Sequence, residues 1–199
     1  MTSSAPSRKR TPSSDGPAGP GERRTLEIQA HGALVEVLEI GVLLLGPSGI
    51  GKSECALELV TRGHRLVADD IVRIRRRQDG HLVGSAPELI RHYVEIRGLG
   101  LLSILELFGP DAVRDETEIS LVCRLERWRE DAEYERVGLD RPTQEILEVA
   151  VPALLLPLRP AGSMATLVEV GVRDLLRRRA GSNAARTLDE RVRGAGNSA

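Results

Sequence analysis

The chain has 199 residues, with 28 basic and 29 acidic side chains and a formal net charge of −1. This length suits one well-packed domain with a tail, and the balanced charge argues against bulk electrostatic binding to nucleic acid. Aromatic residues make up 2% of the chain, so base stacking is also a poor hypothesis. No apolar run is long enough to cross a bilayer, and Met1 is not followed by a signal-peptide core. We therefore expect a cytoplasmic protein in which Cys55 and Cys123 are reduced core residues.

The beginning of the chain differs in composition from the rest. Serine, proline and glycine dominate residues 1–24, a composition that cannot bury a core, so we expect a disordered tail there. From Thr25 the pattern predicts two short strands that meet near His31 and Gly32. We expect one folded domain over residues 25–193 and a disordered end over residues 194–199. A single histidine at a strand turn is usually a surface residue, so His31 alone indicates no function.

An eight-residue stretch after the next apolar run matches the phosphate-binding pattern G-x-x-x-x-G-K-[ST] at every fixed position. This P-loop reads Gly46-Pro47-Ser48-Gly49-Ile50-Gly51-Lys52-Ser53. The apolar residues 41–45 before it predict a buried strand, and residues 53–61 after it place apolar side chains at helical spacing. A strand, a glycine-rich loop and a helix are the context in which the pattern binds nucleotide phosphates. We therefore expect an ATP site here.

The residue types of the loop suit this chemistry. Glycines let backbone N–H groups point inward at an anion, to which the helix N-terminus adds its positive dipole end. The Lys52 ammonium group can reach the β- and γ-phosphates, and the Ser53 hydroxyl group can ligate Mg²⁺. Only one other lysine, Lys9 in the tail, occurs in the chain, which argues against a chance surface lysine at position 52. The alternative interpretation is a glycine-rich turn that binds nothing.

Two adjacent carboxylates follow the next predicted strand. Residues 64–68 read as a strand that ends at Asp69 and Asp70. A strand, helix and strand of this length form a right-handed crossover, so this strand should run parallel to the P-loop strand and end at the same sheet edge. One carboxylate would then approach a metal ion while the other takes a proton from an incoming hydroxyl group. The alternative is a pair of aspartates that caps the following turn.

The remainder of the chain adds elements and two more candidate residues. A hairpin is predicted around Asp79 and Gly80, and Glu95 is either a metal-facing carboxylate or an exposed strand residue. Residues 127–140 read as a mobile loop in which Arg136 is the candidate functional residue. The other predicted elements are a short helix over residues 103–108, a strand over 119–126, two strands over 146–158 broken at Pro152, a helix over 165–179 and a short helix over 184–192.

These motifs, in this order, resemble the catalytic domain of HPr kinase/phosphorylase over about residues 25–192. The resemblance rests on Arg24-Thr25 before His31-Gly32, the P-loop, Gly63 to Asp70, Glu95-Ile96-Arg97-Gly98-Leu99-Gly100, Tyr134-Glu135-Arg136-Val137-Gly138-Leu139 and Val151 to Pro160. Many proteins have a P-loop, but few follow it so soon with Ala-Asp-Asp and Glu-Ile-Arg-Gly-Leu-Gly. The resemblance implies an α/β P-loop kinase domain with a mixed central sheet and a nucleotide site like that of the phosphoenolpyruvate carboxykinases.

Members of this family transfer the γ-phosphoryl group of ATP to a serine of the phosphocarrier protein HPr, and many also run phosphorolysis with inorganic phosphate. The resemblance therefore implies ATP and Mg²⁺ as cofactors. The P-loop amides and Lys52 would hold the β- and γ-phosphates. The metal ligands would be Ser53 and Glu95, with Asp69 as a weaker ligand. Asp70 would exchange a proton with the serine, His31 would lie beside the transferring phosphate, and Arg136 would stabilise its charge.

The resemblance also implies that the loop Pro157-Leu158-Arg159-Pro160-Ala161-Gly162 serves phosphorolysis. Family members usually continue Arg-Pro with Gly-Arg-Asn, where this chain has Ala161-Gly162-Ser163, and the lost arginine is expected to affect phosphorolysis more than kinase activity. Glu39 and Glu135 stand where a glycine and an aspartate are expected. Many members carry a further N-terminal domain, and we expect the allosteric control that resides there to be missing.

Partners follow from the same resemblance. We expect an HPr-type phosphocarrier protein as the acceptor, and a homo-oligomer that is a hexamer in the family. The helix over residues 165–179 would lie either at the subunit interface or in the core. We expect neither nucleic acid nor a membrane as a partner. Two alternatives stay open: a small-molecule kinase, and a P-loop nucleotide-binding sensor that regulates partners without transferring phosphate to a protein.

Overall fold

The computed structural model describes residues 26–131, 134, 141–158 and 162–196. Within them lie eleven strands and four α-helices. The strands are β1 Glu27–His31, β2 Ala33–Val37, β3 Ile40–Leu45, β4 Arg65–Ala68, β5 Ile71–Arg76, β6 Leu82–Ser85, β7 Tyr93–Ile96, β8 Gly100–Ser103, β9 Glu116–Arg127, β10 Thr143–Ile146 and β11 Val149–Leu158. The helices are α1 Lys52–Thr61, α2 Ile104–Phe108, α3 Met164–Arg179 and α4 Ala184–Gly196.

The central sheet is mixed, as the family resemblance implies. The P-loop strand β3 pairs in parallel with β9 and antiparallel with β2. Strand β4 pairs antiparallel with the other edge of β2, so it runs parallel to β3 one strand away. The predicted direction of β4 is therefore confirmed, and both strands end at the same edge of the sheet. Strand β11 extends the parallel part on the far side of β9.

Strands β1, β5 and β6 extend the sheet beyond the start of β9. Strands β1 and β2 are both present and meet at Gly32, but they do not pair with each other: β1 pairs with β5. A Cβ atom added at Gly32 would lie 2.5 Å from the carbonyl oxygen of Leu44, so only glycine fits there. The predicted hairpin of β5 and β6 is confirmed, and β6 joins the start of β9.

The core forms two layers on opposite faces of β2 and β3. Alternate residues such as Val35 and Leu44 face α1 and α3, while their neighbours Leu34 and Leu43 face β5 and β6. Both cysteines are buried and free, as predicted. Burial raises the pKa of the Cys55 thiol to about 12, and burial also raises the pKa of the Cys123 thiol.

The predicted break at Pro152 is wrong. Pro152 lies inside β11. The parallel pairing of β11 with β9 begins at the next residue, Ala153. Because proline lacks an N–H group, a position before this pairing costs no hydrogen bond with β9. The break is at Leu147 and Glu148, which have φ angles of 47° and 62°. A two-residue turn with positive φ at both positions usually contains Asn-Gly, so Leu-Glu gave no turn signal.

Two helices, α3 and α4, form the C-terminal part of the described chain. Helix α4 continues to Gly196, past the predicted start of disorder at residue 194. Helix α3 buries one face that includes Val168 and Val172, while Leu167 between them and the start of the helix is 44% exposed. The interface role of α3 stays a prediction. The predicted tail lies outside the described residues, and no described helix has the length and apolarity to span a bilayer.

Gly41 gives a stability prediction. A Cβ atom there would lie 2.1 Å from the Glu118 carbonyl oxygen, at a register shift between β3 and β9, so backbone must move to accommodate it. We expect Gly41→Ala to lower the free energy of unfolding by about 3 kcal/mol. Gly171→Ala is the matched control, because its Cβ would meet only the end of the Leu154 side chain and alanine favours the helix. It should change stability by less than about 1 kcal/mol. Urea unfolding measures both; equal effects would contradict the close approach at Gly41.

Candidate active site

The P-loop connects the end of β3 to the start of α1. Its three glycines, Gly46, Gly49 and Gly51, have φ angles of 152°, 73° and 102°, which side chains other than glycine rarely adopt. A Cβ atom at Gly46 would also lie 2.4 Å from the carbonyl oxygen of Leu125 on β9. Helix α1 begins at Lys52, one residue before the predicted start, so its N-terminus points into the loop.

Lys52 is a buried cation, only 6% exposed, held against the P-loop by oxygen atoms of the backbone. Its Nζ donates to the carbonyl oxygens of Gly46 and Pro47, each at 3.1 Å. The third partner of Nζ is Nε2 of His31, at 3.3 Å. None of these partners is a carboxylate, so the charge of Lys52 is not neutralised and is available to an anion in the loop.

Asp69 binds the first turn of α1. The Ser53 hydroxyl group donates to Asp69 Oδ1 at 2.9 Å, and the backbone N–H groups of Asp70 and Glu95 also donate to this carboxylate. Asp69 is 4% exposed. Burial raises the pKa of its carboxyl group above the usual value, and the hydrogen bonds from Ser53 and the two backbone groups oppose that shift.

These oxygen atoms suit a magnesium ion. A hydroxyl group and a buried carboxylate stand at the helix N-terminus, and Glu95 lines the same pocket. Within the described ranges, no three acidic, histidine or cysteine side chains are arranged to bind a metal by themselves. A donor set this small fits Mg²⁺, which usually takes one or two protein ligands and completes its shell with phosphate oxygens and water.

Asp70 stands at the mouth of the P-loop in an unusual backbone conformation. Its φ angle is 66°, and the N–H of Ile71 donates to the carbonyl oxygen of Asp69 at 2.8 Å, which closes a three-residue turn around Asp70. The Asp70 carbonyl oxygen accepts the N–H of Gly32 at 3.0 Å. The strand junction at Gly32 therefore fixes the backbone of Asp70, whose side chain remains 64% exposed.

His31 lies between the carboxylate of Asp70 and the ammonium group of Lys52. Its Nδ1 lies 3.0 Å from Asp70 Oδ1, and its Nε2 lies 3.3 Å from Lys52 Nζ. A lysine ammonium group can only donate, so Nε2 accepts and Nδ1 carries the proton that it donates to Asp70. The tautomer of His31 is thus set by its neighbours. His31, Lys52 and Asp70, which come from three separate parts of the sequence, form one connected group.

The pocket around this group contains most of the predicted residues and two that sequence reasoning missed. Glu54, in the first turn of α1, and Arg97, at the tip of the β7–β8 hairpin, both line it. The segment around Arg97 carries part of the family resemblance, but the resemblance assigned Arg97 no role. Its position just before Gly98, where the chain turns back after Glu95, could have indicated that the side chain lies at the tip of a hairpin. The pocket is lined by His31, Ser48, Gly49, Gly51, Lys52, Ser53, Glu54, Asp69, Asp70, Glu95 and Arg97.

Other predicted residues lie elsewhere. Ile50 of the P-loop is 4% exposed and packs in the core under α1. Pro157 and Leu158 end β11, paired with the end of β9, and Gly162 lies just before the Ser163 cap of α3. None of these four residues lines the pocket. The predicted Arg136, Arg159, Pro160 and Ala161 lie outside the described residues, and so do Glu135 and most of the loop around it.

The far end of α1 is tied to α3 by an ionic cluster. Arg62 donates to Glu169 at 2.6 Å and to the Ser163 hydroxyl group at 3.1 Å. His64 lies 2.9 Å from the same Glu169. The hydrogen bonds from His64 and then Arg62 lower the pKa of the Glu169 carboxyl group below its usual 4.5. This cluster fixes the helix that carries the P-loop against the helix that follows the predicted phosphorolysis loop.

A pH dependence follows from Glu169. Because its pKa is lower in the folded protein, its stabilising contribution is complete above about pH 4.5 and is lost as the pH falls below that value. We expect Glu169→Gln to lower the free energy of unfolding at neutral pH by about 1–2 kcal/mol. The variant should also lose less stability than the wild type on acidification. Urea unfolding of each protein above and below pH 4.5 measures this difference. Glu190→Gln, at an exposed glutamate, is the control. If the stability of the wild type and of both variants fell equally with pH, the prediction would be contradicted.

Most of the chain matches a known protein family. Residues 23–192 match the family model of the HPr serine kinase C-terminal domain. A protein of Caldanaerobacter subterraneus named HPr kinase/phosphorylase is 50% identical over 171 residues, covering 86% of this chain and 56% of that protein. One of the same name from Bacillus licheniformis is 49% identical over 162 residues, covering 81% and 52%. The chain thus spans about half the length of these curated relatives.

A solved structure has a similar fold. The HPr(Ser) kinase/phosphatase from Coxiella burnetii superimposes with a TM-score of 0.71 at 33% sequence identity. The match covers 77% of this chain and 93% of the Coxiella chain. The P-loop site, the mixed sheet and the extent of these matches lead to one conclusion. The chain belongs to the family of the HPr serine kinase C-terminal domain.

Proposed function

We propose that this domain transfers the γ-phosphoryl group of ATP to a serine of an HPr-type phosphocarrier protein. One observation carries the proposal: Asp70, a carboxylate open to solvent, is connected through His31 to Lys52 of the P-loop. A kinase acting on a hydroxyl group needs a base beside the terminal phosphate, and a site that only senses nucleotide does not. The names of the relatives, HPr kinase/phosphorylase, support the same activity.

The proposed reaction exchanges one phosphorus–oxygen bond for another. The serine oxygen attacks the γ-phosphorus. The bond between the γ-phosphorus and the β–γ bridging oxygen breaks, and ADP leaves. Asp70 accepts the serine proton. Lys52 and the P-loop N–H groups hold the phosphates, and His31 keeps Asp70 oriented through the Nδ1 proton. Ser53, Asp69 and Glu95 would hold Mg²⁺, which neutralises phosphate charge when bound.

The same residues would serve the opposite direction. In phosphorolysis, inorganic phosphate attacks the phosphoserine, Asp70 returns the proton to the serine oxygen, and pyrophosphate is formed. We propose this as a secondary activity, because Ala161, Gly162 and Ser163 stand in place of the usual Gly-Arg-Asn. We further propose a cytoplasmic homo-oligomer, with a hexamer as the expected assembly, and Arg136 as a second cation near the transferred group.

The test is the mass of an HPr-type carrier after incubation with this protein and Mg-ATP. We expect one added phosphoryl group, located on a serine by tandem mass spectrometry and absent from a carrier in which that serine is alanine. Addition of inorganic phosphate to the product and measurement of pyrophosphate tests the reverse direction. An unmodified carrier despite tight ATP binding would contradict the proposal and favour the nucleotide sensor. Transfer of phosphate to a small molecule and not to the carrier would favour the small-molecule kinase.

A further inference from the structure

The N-terminal tail of this chain carries two serines shortly after a basic cluster. The cluster is Arg8-Lys9-Arg10, and Ser13 and Ser14 follow it. The first described residue, Leu26, comes twelve positions after Ser14. A serine hydroxyl group is the kind of acceptor that the proposed kinase reaction requires, so these two serines are candidate acceptors within the chain itself.

Strand β1 leads from the tail to the active site. Leu26 precedes this strand, and His31 ends it beside Asp70. At about 3.3 Å per residue, the path from Leu26 to His31 measures about 17 Å. Strand β1 is the outermost strand at its end of the sheet, and four of its five residues are exposed. In the part of the chain that the structure describes, nothing blocks a return along this strand to the site.

The number of residues between the serines and Leu26 fits this distance. A glycine-rich chain spans about 19 Å on average over twelve residues, and about 40 Å when it is fully extended. Ser14 can therefore reach Asp70 without any change in the described fold. A tether whose average span matches the distance between two groups gives them an effective concentration in the millimolar range. A weak contact with the pocket is then sufficient for docking.

The charge on the open side of the pocket is complementary to the basic cluster. The permanent cations of the pocket stand at the P-loop, where Lys52 is 6% exposed and Arg97 lies over the middle of the loop. The other charged side chains that are exposed in the pocket are the carboxylates of Glu54, Asp70 and Glu95. Bound ATP adds further negative charge, so a segment with three adjacent cations is attracted to this side.

Glu54 is the carboxylate best placed to bind the cluster. It lies in the first turn of α1, and a Cβ atom at Gly51 would be 4.0 Å from its Oε2. Glu54 has no hydrogen bond or ion pair with another described side chain, whereas the Asp70 carboxylate contacts His31. A negative charge here suits the helix dipole but repels bound phosphates. A cation brought in by the acceptor would offset that repulsion.

We propose that the domain phosphorylates its own tail at Ser13 or Ser14, with Glu54 binding the basic cluster. The serine oxygen forms a bond to the γ-phosphorus of ATP, and the bond between that phosphorus and the β–γ bridging oxygen breaks. The serine proton passes to Asp70, and ADP leaves. This inference rests on the proposed kinase function and adds a second acceptor to it.

The product of this reaction leaves the pocket readily. A phosphoserine carries a charge of about −2 near pH 7, and it would lie beside the same carboxylates that attract the unmodified tail. The unmodified tail therefore competes with a carrier protein for the site, and the phosphorylated tail does not. Self-phosphorylation would thus open the site to the carrier.

The first test incubates the full chain with Mg-ATP and without any carrier. We expect one added phosphoryl group in the intact mass, which tandem mass spectrometry locates at Ser13 or Ser14. The double variant Ser13→Ala with Ser14→Ala should gain none, yet it should phosphorylate a carrier at least as fast as the wild type. Asp70→Asn should also gain none. An unmodified wild type, a phosphoryl group elsewhere on the chain, or one that persists in Asp70→Asn would overturn the inference.

The second test measures the rate of self-phosphorylation. Because the acceptor is tethered, we expect a first-order rate constant that does not change over a tenfold dilution of the protein. Replacing Arg8, Lys9 and Arg10 together with glutamine should lower it by about tenfold. The matched control replaces Arg23 and Arg24, the basic pair beside Leu26. Equal losses in both sets of variants, or a rate constant that falls on dilution, would refute docking of the tail through its basic cluster.

Glu54→Gln tests the contact itself. It should slow self-phosphorylation several-fold without weakening ATP binding, and it should add little to the loss caused by removing the basic cluster, since both changes break the same interaction. Fully additive losses would contradict a contact between Glu54 and the cluster. The outcomes also separate this inference from the proposed function. Phosphate on the carrier but not on the tail would refute the inference alone, whereas phosphate on neither, with ATP bound, would contradict both.

Discussion

Replacing Asp70 with asparagine is expected to reduce the rate of phosphoryl transfer by about 10³–10⁴-fold and to leave ATP affinity nearly unchanged. An amide has the shape of a carboxyl group but cannot take the serine proton. The contacts of Lys52 with the P-loop carbonyls do not involve Asp70, so the phosphate-binding part of the site should persist. Single-turnover rates and calorimetric ATP titrations measure the two effects separately.

Asparagine is also the substitution that the backbone tolerates. Asp70 has a φ angle of 66°, and asparagine is one of the few residues often found there, whereas alanine would add strain. Asp79→Asn is the matched control, since Asp79 lies at the other end of β5 and its Oδ1 accepts the His81 N–H at 3.1 Å, a bond that asparagine can keep. Transfer at near wild-type rate in Asp70→Asn would contradict the assignment of the base.

Replacing Lys52 with methionine should have a different signature, in which transfer and ATP binding fall together. The transfer rate should decrease by at least about 10³-fold, because the ammonium group holds the phosphates before and during the reaction. Methionine keeps most of the buried stem, so thermal stability should remain close to that of the wild type. Circular dichroism, ATP titration and the transfer assay distinguish loss of function from loss of fold.

The chain offers a matched control for this variant. Lys9→Met changes the only other lysine, which lies in the serine- and proline-rich tail, and it should retain both ATP binding and transfer. If Lys52→Met bound ATP as tightly as the wild type, Lys52 would have no part in holding the phosphates. If Lys9→Met lost activity as well, the effect would belong to lysine removal in general and not to the P-loop.

The part of the site that follows local patterns could be predicted from the sequence. The P-loop pattern fixes its own geometry, because its glycines and the strand and helix around it leave few conformations. The crossover rule then placed Asp69 and Asp70 at the same edge, and the contact of Asp69 with Ser53 agrees with that placement. Each of these inferences depended on residues close in sequence or on a strong topological rule.

The parts that the sequence did not reveal depend on long-range pairing. The pairing of β1 with β5 brings His31 to Asp70. No local sequence pattern indicates that β1 pairs with β5. The turns at Leu38-Glu39 and Leu147-Glu148 have positive φ angles without glycine or asparagine, so they carry no turn signal. Arg97 meets Gly49 only because the β7–β8 hairpin folds over the loop, a contact between residues almost fifty positions apart.

The central claim is that Asp70, beside a working ATP site, acts as the base of a protein-serine kinase. The most direct measurement determines ATP binding and phosphoserine formation in the same reaction mixture, with an HPr-type carrier and either the wild type or Asp70→Asn. We predict that both proteins bind Mg-ATP and that only the wild type forms phosphoserine. Phosphoserine at comparable rates in both, or ATP bound by both with no phosphoserine in either, would contradict the account.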